Sequence, residues 1–138
     1  GFAALRVGGY DFIDGRAETV TEKSVFRRSI AFQRCVIPAT GFYEWDAAKH
    51  KYFFQMPGQP IYLAGIYDTI NGVNCFIILT TAPNDSVAPI HDRMPLLLSH
   101  EQVRPWLVDA GAALELLCSR PLLLRTSCDG QLGFDHLA

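Results

Sequence analysis

Tyr52-Phe53-Phe54-Gln55-Met56 sets the fold class of this chain. Tyr52, Phe54 and Met56 alternate with Phe53 and Gln55, an imperfect period of two that marks a strand in a sheet covered on much of both faces. Similar strand-like runs lie at 34–37, 41–46, 61–67 and 74–79, with turn signals at 47–50, 57–60 and 68–72. Residues 2–7 also read as part of a strand. Helical periodicity is confined to a few places. Residues 21–32 predict a helix capped by Thr21, with Val25, Phe26 and Ile30 inward and Glu22, Lys23, Arg27 and Arg28 in water. Ser99-His100-Glu101-Gln102 is a capping box ahead of the stripe Val103, Trp106 and Leu107, and 110–118 predicts another helix before Pro121. A short helix starting at 83–86 and strands at 96–98 and 122–125 complete the pattern. The expected architecture is one α+β domain over 1–138, a curved, mainly antiparallel, barrel-like sheet with a few flanking helices.

The 138 residues, 49% apolar and 12% aromatic, suffice for one packed core. A formal charge of −2 excludes the strongly basic field of a general polyanion binder, so any phosphate binding must come from a local cluster. The cysteines Cys35, Cys75, Cys118 and Cys128 form no CxxC pair and have no close His partner, so no metal site is expected. Cys35, Cys75 and Cys118 sit among apolar neighbours and are expected to be buried and reduced, which points to the cytoplasm. No apolar run is long enough for a membrane helix, and no membrane partner is expected.

Three short segments carry chemistry. In Pro89-Ile90-His91-Asp92-Arg93-Met94-Pro95 two prolines stiffen a loop holding a proton carrier, a carboxylate and a guanidinium. Histidine exchanges protons near neutral pH, and an arginine fork grips a phosphate with two parallel donors. Asp14-Gly15-Arg16-Ala17-Glu18-Thr19 places an acid and a guanidinium two residues apart, on one side of an extended chain, with Gly15 allowing close approach to the backbone. In Gly41-Phe42-Tyr43-Glu44-Trp45 a carboxylate stands among aromatics, where burial tends to raise a carboxyl pKa and makes Glu44 a candidate proton acceptor. Each segment also fits a bland role: a surface turn, an exposed ion pair, a strand-edge glutamate.

Taken together and in order, with Leu79-Thr80-Thr81-Ala82-Pro83-Asn84 preceding the histidine loop, the three segments resemble the SOS response-associated peptidase (SRAP) family of abasic-site processing proteins. The resemblance runs to about Leu107; Thr126 to Ala138 carries no family segment. It implies that an N-terminal cysteine, exposed by self-removal of the initiator methionine, condenses with the ring-opened aldehyde of an abasic site in single-stranded DNA. The product is a thiazolidine cross-link that shields the lesion, and no cofactor is needed. Glu44 matches the glutamate that handles protons at the α-amino group, and His91 the histidine that serves the sugar hydroxyl and ring opening. Arg16 matches a phosphate-holding arginine, and Arg93 is expected to do the same. Asp14 stands where the family has asparagine in the catalytic set. An ionised aspartate only accepts hydrogen bonds, so Asp14 is expected to be protonated, turned toward Arg16, or tolerated at a loss of activity.

Gly1 is not the family's cysteine, and the N-terminal strand and DNA-separating aromatic wedge are expected to be missing from the chain. Glu18, Thr19, Trp45 and Asp92 are read as supporting the loops or pairing nearby groups. The rival within the same fold is a non-catalytic module that binds single-stranded DNA through Arg16, Arg93 and exposed aromatics. A hydrolase using Cys35 or Ser86 with His91 lacks any nucleophile-elbow segment. Single-stranded DNA carrying abasic sites, in a bacterial cytosol, is the expected partner; no expectation attaches to the oligomeric state.

Overall fold

The computed structural model describes residues 5–7 and 10–128, with side chains from Gly15 onward apart from Ile70. The elements in chain order are β1 (Leu5–Val7), β2 (Tyr10–Arg16), α1 (Ser24–Phe32), β3 (Arg34–Ala39), β4 (Phe42–Trp45), β5 (Lys51–Gln55) and β6 (Ile61–Ile70). They continue as β7 (Val73–Thr81), β8 (Met94–Pro95), β9 (Leu97–Leu98), α2 (His100–Val108), α3 (Ala110–Leu116) and β10 (Arg125–Cys128). One sheet runs β1-β2-β7-β6-β3, with β8 added to β7 and β9 to β6; a smaller sheet runs β10-β5-β4. The pairings are antiparallel except β2 with β7, which is parallel. This is the mixed α+β architecture with a mostly antiparallel, curled sheet that the strand pattern predicts.

The larger sheet is buried on both faces, and the side-chain alternation of its strands shows how. On β6, Ala64 and Ile66 join Ile77 and Leu79 of β7 in a core closed by Phe26 and Ile30 of α1 and Trp106 of α2. The opposite residues, Ile61 and Leu63, with Ile78, face Phe54 and Phe42 of the smaller sheet, with Met94 of β8 in the same cluster. The aromatic stretch of β5 is therefore two-sided in a different sense from that expected. Phe54 is fully buried between the sheets, whereas Phe53 lies on the outer face and is covered by Tyr43, their rings 4.9 Å apart.

Several local expectations shift. The helix expected from Thr21 begins at Ser24 with Lys23 as its N-cap, because residues 17–22 are taken up in turns closed by Glu22 and Lys23 amides on Thr19 O. Its buried face is Phe26, Ser29 and Ile30, one i, i+3, i+4 stripe, which leaves Val25 half exposed. The hairpin turn read at 68–72 contracts to Asn71-Gly72, with φ of 51° and 78°, so β6 and β7 pair up to Ile70 and Val73. Asn-Gly is the pair that tolerates such angles. Ahead of α2, Gln102 Oε1 accepts the Ser99 amide at 2.9 Å, the return half of the capping box. Ala113 of α3 and Leu117 at its C-cap take the inward face, so Cys118 is exposed and not buried. No described helix is long and apolar enough to cross a membrane.

Two polar residues tie the histidine loop to the distant C-terminal segment. Asn84, buried, donates to Pro121 O and Leu122 O and accepts the Ser86 amide; Ser86 Oγ accepts the Leu124 amide at 2.8 Å. These bonds explain two departures from the expected elements. Residues 85–90 form turns on Asn84 O and Val87 O in place of a helix. The strand expected at 122–125 starts only at Arg125, because the backbone before it is engaged by Asn84 and Ser86.

Candidate active site

The end of β7 is where the distant segments meet. The parallel register sets Gly15 against Leu79 and Arg16 against Thr80, while β8 pairs Pro95 with Thr80. Thr80 O accepts both the Ala17 amide, at 2.8 Å, and Arg93 Nη2, at 2.8 Å. One carbonyl thus joins the segment after β2 to the one before β8. The smaller sheet brings β4 over this junction, and a cleft of ≈ 500 Å³ opens between them, lined by Arg16, Lys23, Glu44, Thr80, His91 and Arg93 among others.

Across the cleft, His91 Nε2 lies 3.6 Å from Glu44 Oε2, with the side chains 37% and 24% exposed. That distance exceeds a direct hydrogen bond, yet one polar atom seated about 2.8 Å from each would bridge them. The arrangement suits two proton-handling groups acting on the same small functional group. The imidazole is oriented from behind: Nδ1 lies 3.2 Å from the Arg93 amide, which donates to it, and 3.1 Å from Arg93 O. The carboxylate of Asp92, largely solvated, is 3.5 Å from the same nitrogen.

Arg93 is largely buried, and its fork is engaged internally. Nη1 and Nη2 donate to the two carboxylate oxygens of Glu18, and Nη2 also reaches Thr80 O and Thr80 Oγ1. Hydrogen bonding from Arg93 holds the Glu18 carboxyl below the usual carboxylate range. Arg16, by contrast, is exposed at the cleft; its carbonyl accepts the Thr19 amide at 3.2 Å, and its charge helps to hold the Glu18 carboxyl low. Asp14 lies in β2 opposite Ile78, and its side chain falls outside the described residues. Trp45 and Tyr43, about half exposed, sit on the outer face of β4 under Lys51, whose Nζ is 4.1 Å from the Tyr43 ring centre.

Burial pushes the Cys35 thiol up to about 11, well above the range of a nucleophilic cysteine. Sequence reasoning passed over Thr80 and Lys23 in the cleft, and over Asn84 behind it. Thr80 and Asn84 stand inside the quoted 79–84 segment, but Thr80 meets Ala17 and Arg93, and Asn84 meets Pro121 and Leu122, all distant in sequence. Among the described residues no group of three or more His, Cys, Asp or Glu side chains is placed to hold a metal ion.

The family model described as SOS response associated peptidase (SRAP) matches residues 3–125. The chain belongs to the SRAP family. The abasic site processing protein YoaM of Bacillus subtilis is 40% identical over 109 residues, covering 72% of this chain and 48% of YoaM. YoqW of the same organism, also an abasic site processing protein, is 39% identical over 110 residues, covering 72% and 49%. An X-ray structure of a protein from Bacteroides thetaiotaomicron superposes with a TM-score of 0.72 at 30% identity, over 83% of this chain and 57% of that one. The chain spans about half the length of the curated relatives it matches.

Within this SRAP site Gly41 is fixed by space. A Cβ there would stand 2.4 Å from both Phe54 O and the Phe53 ring, and Phe54 O belongs to the backbone of β5. Gly41→Ala must push β4 away from β5 and carry Glu44 with it. Overpacking of this kind costs about 1–3 kcal/mol. Denaturant unfolding is expected to show that loss; Gly58→Ala meets nothing within 4 Å, but its φ of 75° lies in the left-handed region, so a loss there is backbone strain and not overpacking.

Proposed function

We propose that this cleft processes abasic sites in single-stranded DNA, with a cysteine at residue one of the mature protein forming a thiazolidine with the lesion. The observation that carries the reading is the 3.6 Å approach of His91 Nε2 to Glu44 Oε2 in a cleft bordered by the exposed guanidinium of Arg16. Relatives named abasic site processing proteins supply the substrate class.

The closed sugar must first open. Removing the proton of the C1′ hydroxyl and protonating the ring oxygen yields the aldehyde, and His91 is the group suited to relay that proton. The α-amine then adds to the aldehyde and water leaves, giving an imine; Glu44 takes the amine proton and returns it to the departing hydroxyl. Addition of the thiol sulfur to the imine carbon, with its proton passing to nitrogen, closes the ring. One water is released overall and no redox partner is required. Arg16 holds a flanking phosphate, with Lys23 adding positive charge on the same side.

Binding to single-stranded oligonucleotide, measured over a range of salt, tests the partner. Each phosphate contact contributes a slope of about −0.7 in log K against log salt, so Arg16→Gln is expected to flatten the slope by about 0.7. An unchanged slope and affinity would remove Arg16 from the interface.

A further inference from the structure

The guanidinium of Arg93 meets two different partners. Nη2 reaches inward to Thr80 O at 2.8 Å and Thr80 Oγ1 at 3.1 Å. The parallel pair formed by Nη1 and Nη2 receives both carboxylate oxygens of Glu18. Nε is buried without a partner, and among the described residues Nη1 has no acceptor besides Glu18, so one of its two N–H groups is open. A phosphate beside Glu18 therefore finds a single accessible donor. Two parallel donors, the arrangement that grips phosphate best, are offered only where the carboxylate now lies.

Glu18 is built to leave that place. A planar carboxylate fits the fork as two phosphate oxygens do. Its side chain is 48% exposed, against 17% for Arg93, and stands on the turn after β2, so the carboxylate can swing into solvent while Thr80 keeps the guanidinium aimed. Arg16, two residues before it, lines the same cleft. A strand phosphate drawn to Arg16 and Arg93 meets the Glu18 carboxylate as a like charge close by, which favours its departure. We propose that Glu18 occupies the phosphate seat of Arg93 in the free protein and is exchanged for a DNA phosphate when the strand enters the cleft. The inference rests on reading the cleft as a site for single-stranded DNA. It makes Glu18 a determinant of specificity: a free phosphate ion must break two charge-assisted bonds to enter, whereas a strand already held at Arg16 presents its next phosphate at high local concentration. A chain of formal charge −2 that binds phosphate only locally gains selectivity from such a guard.

Anisotropy with a lesion-free single-stranded oligonucleotide at fixed salt tests the exchange. Glu18→Gln is expected to bind about tenfold tighter than wild type, the worth of the charge-assisted bonds that no longer need breaking. Glu18→Asp keeps the charge but is one methylene too short for the present pair of bonds, and is expected to fall between the two. Unchanged or weaker binding by Glu18→Gln overturns the exchange: the phosphate then sits at the open Nη1 N–H beside a carboxylate that stays. Glu18→Asp equal to wild type overturns it too, because simple repulsion would then account for Glu18→Gln. A second arm uses no DNA. Inorganic phosphate, compared with sodium chloride at the same ionic strength, is expected to raise the thermal midpoint of Glu18→Gln more than that of wild type. An equal rise in both proteins, or none in Glu18→Gln, contradicts an occupied seat. Absence of DNA binding in all three proteins would refute the proposed function and leave the phosphate ion to decide the exchange.

Discussion

His91→Ala and Glu44→Gln are each expected to slow covalent capture of an abasic oligonucleotide by about 10²–10⁴-fold, the usual range for loss of a positioned general acid or base. The two groups face each other at 3.6 Å, and in the proposed reaction they serve successive steps at the same sugar carbon, so the slower step alone sets the rate. Removing both should therefore cost far less than the product of the single losses. Single-turnover rates of product formation on a denaturing gel, at saturating DNA, measure the effect on chemistry apart from binding. Both side chains lie at the cleft and not in either core cluster, so thermal unfolding of His91→Ala should stay near wild type. Losses that multiply would mean that both groups act independently in one rate-limiting step.

The largest effect on stability is expected at Trp106. It is fully buried between α2 and the larger sheet, and its indole N–H donates to Cys35 O at 2.9 Å. Trp106→Ala removes the largest fully buried side chain among the described residues and takes the indole donor from Cys35 O of β3. Truncation of a buried Trp costs about 3–5 kcal/mol, enough to consume a large part of a typical domain's stability of about 5–15 kcal/mol. The neighbouring Arg34 concentrates the damage. Its guanidinium gathers carbonyls from the C-terminal ends of two helices, Ile30 O and Ala31 O of α1 with Trp106 O and Leu107 O of α2. These are the carbonyls that a helix end leaves without partners. If α2 shifts into the space left by the indole, those bonds are strained as well. Urea unfolding should show the lower midpoint, with Trp106→Phe intermediate because it keeps most of the packing and loses the N–H donor.

The elements that are local in sequence were legible before the structure. Alternation at 52–56, the capping box at Ser99 and the turn signal at 68–72 are each written within a few neighbouring residues, and each element formed close to its expected place, the turn contracting to Asn71-Gly72. The order of the three chemical segments was legible too, and the family resemblance implied that Arg16, Glu44 and His91 share one pocket, as they do; the strand pairing that brings them together was not. The parallel pairing of β2 with β7 joins residues more than 60 positions apart, and no periodicity encodes a partner strand. Arg93 shows the limit most clearly. Its place in the loop is plain from the sequence, but the Glu18 carboxylate that meets two of its donors is brought alongside only by that same β2–β7 pairing. Cys118 failed for a related reason: apolar neighbours in sequence do not say which face of a short helix turns inward.

The most direct measurement uses single-stranded oligonucleotides identical except for one abasic site. The product of the complete reading frame that carries this chain is incubated with each and run on a denaturing gel. A slow-migrating band that survives denaturation with the abasic strand alone, and that fades in His91→Ala and Glu44→Gln, is the predicted result. DNA binding in solution without any such band, or a band equally strong on intact DNA, would contradict a lesion-processing site built from His91, Glu44 and Arg16.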